Sequence, residues 1–297
     1  MIDYLTGADS RMFAQALILI QSLEEAGAHG LVRVCDFGLD AGQRRFLESR
    51  GQLAFADPPL PSRFHHAWYH KATIVDCARP DAETVMWIDA DMMLMADPRP
   101  HVDALVSAMR RDGCRVAAAP DCTPSIGDYI LTARAKGYDV DPFVQRLAEY
   151  GISQEHPYLN AGLYVADSRE VMDTYKRLTF ETREHAMWEQ NAFNVAAWRD
   201  PRQVVTLDRG VWNLFNADLK EASLAGDGRG ILCRGLQVLV VHVAGDFCEP
   251  IMKTIDVRGC RFSSRLRAHT EPHLREFQIG LFERFVTENQ DALVEML

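Results

Sequence analysis

Paired cysteines and long apolar runs are both missing from this sequence. Its seven cysteines are odd in number and scattered without a C-x-x-C pair, which excludes a disulfide framework and a paired-cysteine zinc site and favours reduced thiols. The apolar run over 16–20 is too short to span a bilayer, and the N-terminus lacks the basic region of a secretion signal. We therefore expect an intracellular, cytoplasmic protein without a transmembrane segment.

Positive charge is also scarce. The chain has 32 Lys and Arg against 42 Asp and Glu among 297 residues, a formal charge of −10. Such a surface repels phosphate backbones and anionic headgroups, which disfavours broad nucleic-acid or electrostatic membrane binding. With 47% hydrophobic and 25% charged residues, the composition is that of a globular protein and not of a disordered one. A small anionic ligand would need a local cationic site or a metal ion.

Segments with strand and helix patterns alternate along the chain, as in βαβ units. Strands are predicted over 2–5, 31–35, 52–55, 84–88, 115–119, 162–165 and 238–242, the last being the final strand expected. Helices are predicted over 10–25, 40–49, 66–78, about 100–111, 141–150, 168–182, 189–198 and 272–297. The stretch between Pro120 and Tyr138 has no clear period and predicts a long loop. The pattern predicts an α/β fold with a mostly parallel central sheet flanked by helices and a helical C-terminal extension, with ligands beyond the carboxyl ends of the strands.

Two carboxylates, Asp89 and Asp91, follow the apolar strand predicted over 84–88. In an extended chain both side chains would point the same way, because side chains alternate along a strand. Such a pair suits a hard cation, Mg²⁺ or Mn²⁺, that keeps water and phosphate oxygens in its shell. A strand-end Asp that caps a turn beside a solvated Asp is the structural alternative.

The same D-x-D pattern supplies the nucleophile and acid of haloacid-dehalogenase-type phosphatases. In that family the pair lies on the first strand and is followed by Gly or Thr, whereas Met92 and Met93 follow it here. The metal interpretation is therefore favoured over the phosphatase interpretation.

Five further blocks accompany the D-x-D pair in a fixed order. They are the segments 68–71 (WYHK), 156–165 (HPYLNAGLYV), 188–194 (WEQNAFN), 211–213 (VWN) and 241–245 (VHVAG). In this order they resemble glycosyltransferase family 8 and its GT-A relatives, which include glycogenin and bacterial lipopolysaccharide galactosyltransferases. The resemblance implies a GT-A nucleotide-diphospho-sugar transferase domain over 1–250, with a basic segment and helix over 251–297 packed on it or extending it.

The resemblance also implies a metal site. Asp89 and Asp91 would bind Mn²⁺ that bridges the donor diphosphate, and His242, in an H-x-x-G motif with Gly245, would complete the set. Imidazole is a better ligand for Mn²⁺ than for Mg²⁺, so this set favours manganese, with Mg²⁺ as the alternative. A His at the end of an apolar strand is otherwise most simply a hydrogen-bonded core residue.

Further site residues follow from the resemblance. Donor-binding residues would be Thr6, Gly7, Ala8, Asp9, Asp89, Ala90, Asp91, Asn160, Ala161, Gly162 and Gly245. Catalytic residues would be Glu189, which binds donor hydroxyls, Gln190, which lies near the anomeric carbon, and Lys71, which approaches the sugar or its phosphates. Lys71 as a solvated helix residue and Gly7 as a turn glycine are the alternatives, and Trp212 and Asn213 would support the site.

One position departs from the family pattern. Cys248 stands where the family commonly has a Lys that stabilises the leaving diphosphate. A developing diphosphate charge needs a cation beyond the metal. Lys253, Lys71 or a basic residue of the segment 258–267 are the candidates.

The expected function is that of a metal-dependent glycosyltransferase (a hexosyltransferase) that moves a sugar from a nucleotide sugar, a UDP-linked hexose, to a carbohydrate or other hydroxyl acceptor, with retention as in the relatives. A non-catalytic nucleotide-sugar-binding protein of the same fold is the alternative, favoured by the missing Lys. A nucleotidyltransferase would need a Gly-rich G-x-G-x-R segment that 6–11 does not supply.

Overall fold

The computed structural model describes residues 1–56, 67–181, 187–225 and 230–296. In these ranges the strands are β1 (Ile2–Ala8), β2 (Val32–Asp36), β3 (Leu53–Ala54), β4 (Thr84–Ile88), β5 (Met92–Leu94), β6 (Val116–Pro120), β7 (Leu159–Ala166), β8 (Val204–Thr206), β9 (Ala222–Leu224), β10 (Ile231–Cys233), β11 (Leu236–Gln237), β12 (Val240–His242), β13 (Cys248–Val257) and β14 (Cys260–His269). The helices are α1 (Phe13–Glu25), α2 (Ala41–Ser49), α3 (Ile74–Cys77), α4 (Arg99–Asp112), α5 (Ile126–Ala135), α6 (Asp141–Tyr150), α7 (Arg169–Glu181), α8 (Trp188–Trp198), α9 (Arg209–Trp212), α10 (Pro272–Glu288) and α11 (Gln290–Met296).

A central sheet of seven strands has the order β3-β2-β1-β4-β7-β6-β8. The pairs β1–β2, β2–β3 and β6–β8 are parallel, whereas β6 and β7 are antiparallel. Every residue of β4 and β7 is buried, which explains why most of their residues are apolar, without the alternation of a half-exposed strand. The predicted α/β fold with a mostly parallel sheet is confirmed.

The residues form two compact units, each built from separate stretches of chain. Unit 1 comprises Met1–Asp3, Ala56–Trp87 and Val102–Arg209, and unit 2 comprises Tyr4–Phe55, Ile88–His101 and Gly210–Leu297.

In unit 1 a buried carboxylate follows strand β7. Asp167 accepts hydrogen bonds from the Arg110 guanidinium, at 2.8 Å, and from the Thr84 hydroxyl. Burial alone would raise the pKa of this carboxyl, but the hydrogen bonds from Arg110 and Thr84 outweigh it, so the pKa of Asp167 is lowered. The carboxylate therefore stays charged and links β7 to α4 and β4.

In unit 2 helix α1 is the central helix. Its residues 13–23 are all buried, because β5, β14 and α10 pack around it. Strand β5 pairs with β12, and β13 and β14 form an antiparallel hairpin of two ten-residue strands. Helix α2 begins at a capping box in which Asp40 and Gln43 satisfy each other's backbone N–H groups.

Two sequence expectations are wrong. The stretch after Pro120 contains helix α5, whose buried residues Ile126, Tyr129, Ile130 and Ala133 have helical spacing; the short length and Gly127 hid the period. Strands β13 and β14 continue the chain beyond residue 242. The exposed side chains of these strands are mostly polar, so the average composition of the segment resembles that of a loop. It conceals the alternation that buries Phe262, Leu266 and Ala268.

Other boundaries differ less. The predicted helix over 66–78 is a 3₁₀ segment over Ala67–Thr73 followed by α3, and its first residue lies outside the described ranges, as does the last residue of the helix predicted over 168–182. The predicted C-terminal helix is present as α10 and α11. Within the described ranges, none of the helices combines the length and apolar character needed to cross a bilayer.

Candidate functional site

The D-x-D segment forms a tight turn between two strands. Strand β4 ends at Ile88, and the N–H of Met92 donates to the carbonyl of Asp89 at 3.1 Å, so the chain turns here and does not stay extended. The turn leads into β5, which pairs with β12 in a register that places Met92 opposite His242. The N–H of Val243 donates to the carbonyl of Asp91 at 2.8 Å. Strand pairing therefore brings His242 to the D-x-D turn.

His242 is held by a buried asparagine. The residues 211–214 run beside β12 because the N–H of Leu239 donates to Val211 and that of Leu214 to Val240. This places the fully buried Asn213 with its side-chain oxygen 2.9 Å from His242 Nδ1. An amide oxygen only accepts, so Nδ1 carries the proton in this contact, and Nε2 is the ring nitrogen that points away from Asn213.

The second ring nitrogen, Nε2, faces a carboxylate. His242 Nε2 lies 3.4 Å from Asp91 Oδ1, and both side chains are nearly buried. Two acceptors at this distance repel each other unless a proton or a cation lies between them.

The donor atoms of Asp89, Asp91 and His242 all lie within 4.8 Å of one another. Ligands bound to one cation at about 2.1 Å lie roughly 3 Å apart when they are neighbours in its shell. Two carboxylates and one imidazole with an oriented N–H fit a divalent cation such as Mn²⁺.

A positive-φ glycine follows the strand that carries His242. Gly245 has φ +77°, and a Cβ at this position would lie 1.9 Å from Oδ1 of Asn216, so only glycine fits. The neighbouring thiol of Cys248 donates to the carbonyl of Ala244 at 3.5 Å. Burial raises the pKa of Cys248 to about 11, so the thiol is neutral at physiological pH.

The first strand of unit 2 carries the residues predicted to bind the nucleotide. Gly7 lies in β1 under the ring of Phe37, where a Cβ would come within 2.1 Å of the ring, so it is a packing glycine and not a turn glycine. Thr6 is fully buried, and within the described part of the chain its hydroxyl has no hydrogen-bond partner. Ala8 is buried, and Asp9 accepts from the Arg11 guanidinium at 2.9 Å.

In unit 1 the polar residues of helix α8 bind the start of strand β7. Asn194 donates to the carbonyl of Leu159 at 2.9 Å and accepts from its N–H at 2.8 Å. Gln190 accepts from the N–H of Ala161 at 3.2 Å, and Asn160 accepts from the N–H of Gly162 at 2.9 Å. The side-chain amides of Gln190 and Asn194 in α8 are thus hydrogen-bonded to the backbone of β7. Such hydrogen bonds explain how polar residues can lie in a fully buried helix.

Sequence reasoning missed Asp121, which organises this polar cluster. Its Oδ2 accepts from Asn160 Nδ2 at 2.8 Å and from Gln190 Nε2 at 3.0 Å, and its carbonyl accepts from Arg209. The signal was available: Asp121 follows the apolar strand β6, as Asp89 follows β4.

Lys71 and Glu189 form a nearly buried ion pair. Their charged atoms are 3.8 Å apart, and the side chains are 14% and 5% exposed. Lys71 is therefore not a solvated helix residue.

Comparison of the sequence with family models and with curated proteins gives no match. Comparison of the structure gives three instructive neighbours. The galactosyltransferase LgtC, solved with donor and acceptor sugar analogues, has 16% identity and a TM-score of 0.51 over 82% of this chain and 88% of its own. The bifunctional glycosyltransferase WbbM has 14% identity and a TM-score of 0.54 over 82% of this chain and 46% of its own. The glycosyltransferase GlyE of Streptococcus pneumoniae has 16% identity and a TM-score of 0.52 over 98% of this chain and 64% of its own.

The chain has the GT-A glycosyltransferase fold. The fold expected from the family 8 resemblance is thereby confirmed. On this fold the structure brings Asp89, Asp91 and His242 together in unit 2. Separately, it joins Lys71 to Glu189 in unit 1. Fold likeness at this identity assigns no function to these residues.

Proposed function

We propose that this protein is a metal-dependent glycosyltransferase that moves a hexose from a UDP-sugar to a hydroxyl acceptor. The observation that carries the proposal is the trio of Asp89, Asp91 and His242 on a GT-A fold, with the imidazole oriented as a metal ligand by Asn213. The presence of donor and acceptor sugar analogues in the LgtC structure supports a nucleotide sugar and a sugar acceptor as partners.

The trio would hold the metal, preferentially Mn²⁺. When bound, the ion would offset the charge of the donor diphosphate and act as a Lewis acid on the leaving group. The protein's own contribution here is orientation, since Asn213 fixes the imidazole and the turn at Met92 fixes the carboxylates. Thr6, Gly7, Ala8, Asp9, Ala90 and Gly245 would bind the nucleotide part of the donor, and the unsatisfied hydroxyl of Thr6 suits a polar ligand.

The polar cluster of unit 1 would bind the donor sugar. Asn160, Ala161 and Gly162 would contact its hydroxyls, and Glu189, paired with Lys71, would accept hydrogen bonds from them. Both ends of the Gln190 amide are held, by Asp121 and by the N–H of Ala161. Its oxygen would stabilise the positive charge that develops at the anomeric carbon, without forming a covalent bond.

The proposed transfer proceeds with retention. The bond between the anomeric carbon and the phosphate oxygen breaks, and its electron pair stays on the diphosphate. The acceptor oxygen bonds to the same face of the anomeric carbon, and its proton passes to the leaving phosphate oxygen. The products are UDP and the glycoside.

A donor screen tests the proposal. Purified protein is mixed with individual UDP-hexoses and Mn²⁺, and UDP release is followed with water or simple sugars as acceptors. We expect release with at least one donor and its loss in the Asp91→Asn and His242→Ala variants. The matched control is Asp97→Asn, because Asp97 lies in the same segment but pairs with Arg99 at the surface.

Each negative result contradicts a different part of the proposal. UDP binding without release from any donor would refute catalysis and leave a nucleotide-sugar-binding protein. Release that survives Asp91→Asn and His242→Ala would refute the metal assignment.

A cytoplasmic location is part of the proposal. None of the seven cysteines, all of which lie in the described ranges, forms a disulfide bond, and three of them are buried. Cysteines without disulfide bonds are typical of a reducing compartment.

A further inference from the structure

The position of Cys248 leaves the donor diphosphate without the cation that the family pattern supplies. Two of the three candidate replacements already have carboxylate partners. Lys253 pairs with Glu283, and Lys71 pairs with Glu189 at 3.8 Å. This leaves the basic residues of strand β14 and the turn before it.

Among those residues Arg267 reaches the metal-binding trio. Its Nη1 lies 3.6 Å from Oδ2 of Asp91, and its Nη2 lies 3.4 Å from the carbonyl of Gly245. In the hairpin Arg267 faces Pro250, two residues after Cys248. The guanidinium therefore extends from β14 to the turn at Gly245. Cys248, which follows this turn, is the position where the family pattern has its Lys.

The backbone of Arg267 is unusually well fixed. Its carbonyl oxygen accepts two side-chain hydrogen bonds, from Nε2 of Gln15 in α1 and from Nε2 of Gln278 in α10, each at 2.7 Å. Both glutamines are buried, with 2% and 1% exposure. Gln278 also accepts from the N–H of His269 at 3.2 Å. An anchored backbone that carries a half-exposed guanidinium is suited to receive an anion, because little backbone order must be gained on binding.

The other arginines of this region are placed differently. Arg258 pairs with Asp291, and Arg261 lies 3.7 Å from Asp256. Arg265 is exposed on the same face of β14 as Arg267, and two residues along a strand separate them by roughly 7 Å. Arg265 has no carboxylate partner among the described residues. It therefore serves as a control for Arg267, because it is an arginine on the same strand and face that does not contact the trio.

We propose that Arg267 binds the diphosphate of the nucleotide-sugar donor and takes over, from the opposite strand, the position left open by Cys248. The inference rests on the proposed function. A guanidinium offers paired N–H donors that match a phosphate group. Its present neighbour Asp91 keeps it at the trio, and the charge that accumulates on UDP as the glycosidic bond breaks would strengthen the interaction.

Nucleotide affinity tests the inference without relying on turnover. Binding of UDP and of UMP is measured by calorimetry with saturating Mn²⁺ for the wild type and for Arg267→Ala, Arg267→Gln and Arg265→Ala. We expect UDP to bind the two Arg267 variants roughly 10- to 100-fold more weakly, as for loss of a charged hydrogen bond. UMP, which lacks the second phosphate, should change by less than about threefold, and Arg265→Ala should match the wild type.

Manganese affinity separates loss of the phosphate contact from structural damage. Removing a positive charge 3.6 Å from Asp91 should leave Mn²⁺ binding unchanged or tighter, whereas a disordered site would lose it. The double variant Arg267→Ala/Cys248→Lys restores a cation on β13 and should recover UDP affinity at least in part.

Equal UDP affinity in the wild type and both Arg267 variants would overturn the inference and leave the proposed function intact. Parallel losses of UDP, UMP and Mn²⁺ binding would also overturn it, because they show a structural role. Failure of the wild type to bind UDP with Mn²⁺ would refute both the inference and the proposed function.

Discussion

Replacement of Asn213 by alanine is the sharpest test of the proposed metal site. The variant removes the acceptor 2.9 Å from His242 Nδ1 and touches none of the three proposed ligands. If His242 binds a cation through Nε2, this hydrogen bond sets both the tautomer and the ring orientation. In the variant the imidazole can rotate, or it can adopt the tautomer in which Nε2 carries the proton and cannot bind the cation.

The size of the effect follows from burial. Asn213 has no exposed surface and His242 is 4% exposed, so water does not readily replace the lost partner. A buried donor left unsatisfied costs about 1–3 kcal/mol. Loss of a partner that orients a metal ligand weakens metal affinity by roughly 10- to 100-fold. We therefore expect the dissociation constant for Mn²⁺ to rise by that factor.

The assay is titration of the protein with Mn²⁺, with free ion followed by electron paramagnetic resonance and no nucleotide present. Asn213→Asp keeps an acceptor at the same place and should stay within about fivefold of the wild type. Asn194→Ala is the matched control. Asn194 is equally buried and satisfies the backbone of Leu159 in unit 1, so this variant should lose stability without losing Mn²⁺ affinity.

Two results would refute the reasoning. If Asn213→Ala binds Mn²⁺ as tightly as the wild type while His242→Ala does not, the imidazole is a ligand whose orientation does not depend on Asn213. If neither variant changes the affinity, His242 is a core residue and the carboxylates act without it.

Three further outcomes follow from single contacts. Asp167→Asn should lower the free energy of unfolding at pH 7 by about 1–3 kcal/mol. Because the pKa of Asp167 is lowered in the folded protein, the carboxylate stabilises the fold above its unfolded-state pKa, and this stabilisation is lost as the pH falls through its folded-state pKa. Urea denaturation should therefore show the difference between variant and wild type shrinking below about pH 4. At pH 8 iodoacetamide should label the exposed Cys260 well before Cys248, whose pKa is raised to about 11, and mass spectrometry showing equal rates would contradict the burial of that thiol. Gly7→Ala forces a methyl group into the ring of Phe37 and should cost about 1–3 kcal/mol in urea denaturation, and a variant as stable as the wild type would show that the ring moves aside freely.

The grouping of Asp89, Asp91 and His242 was largely predictable from sequence because local rules position these residues. The D-x-D pair follows one apolar strand, and His242 ends another. The pairing of β5 with β12 then places His242 at the D-x-D turn. The same rule would have found Asp121 after β6. For Asn213 the family resemblance predicted only a supporting role, and its contact with His242 depends on the approach of 211–214 to β12.

The environment of Arg267 was not predictable from sequence. Gln15 and Arg267 are 252 residues apart along the chain, and a buried Gln in a helix gives no indication of which carbonyl it binds. The hairpin was missed for a related reason: a strand with one solvated face has the mean polarity of a loop, and only its alternation distinguishes it.

The interleaving of the two units has a consequence for folding. Unit 2 is assembled from Tyr4–Phe55, Ile88–His101 and Gly210–Leu297, so the two carboxylates and the imidazole come from segments about 150 residues apart. Contacts so distant in sequence form late, because closing long loops is entropically costly. Cation capture by the trio should therefore report completed folding, and refolding followed by Mn²⁺ uptake should lag behind the recovery of helical circular dichroism. By the same linkage, the ion would stabilise only the fully assembled chain.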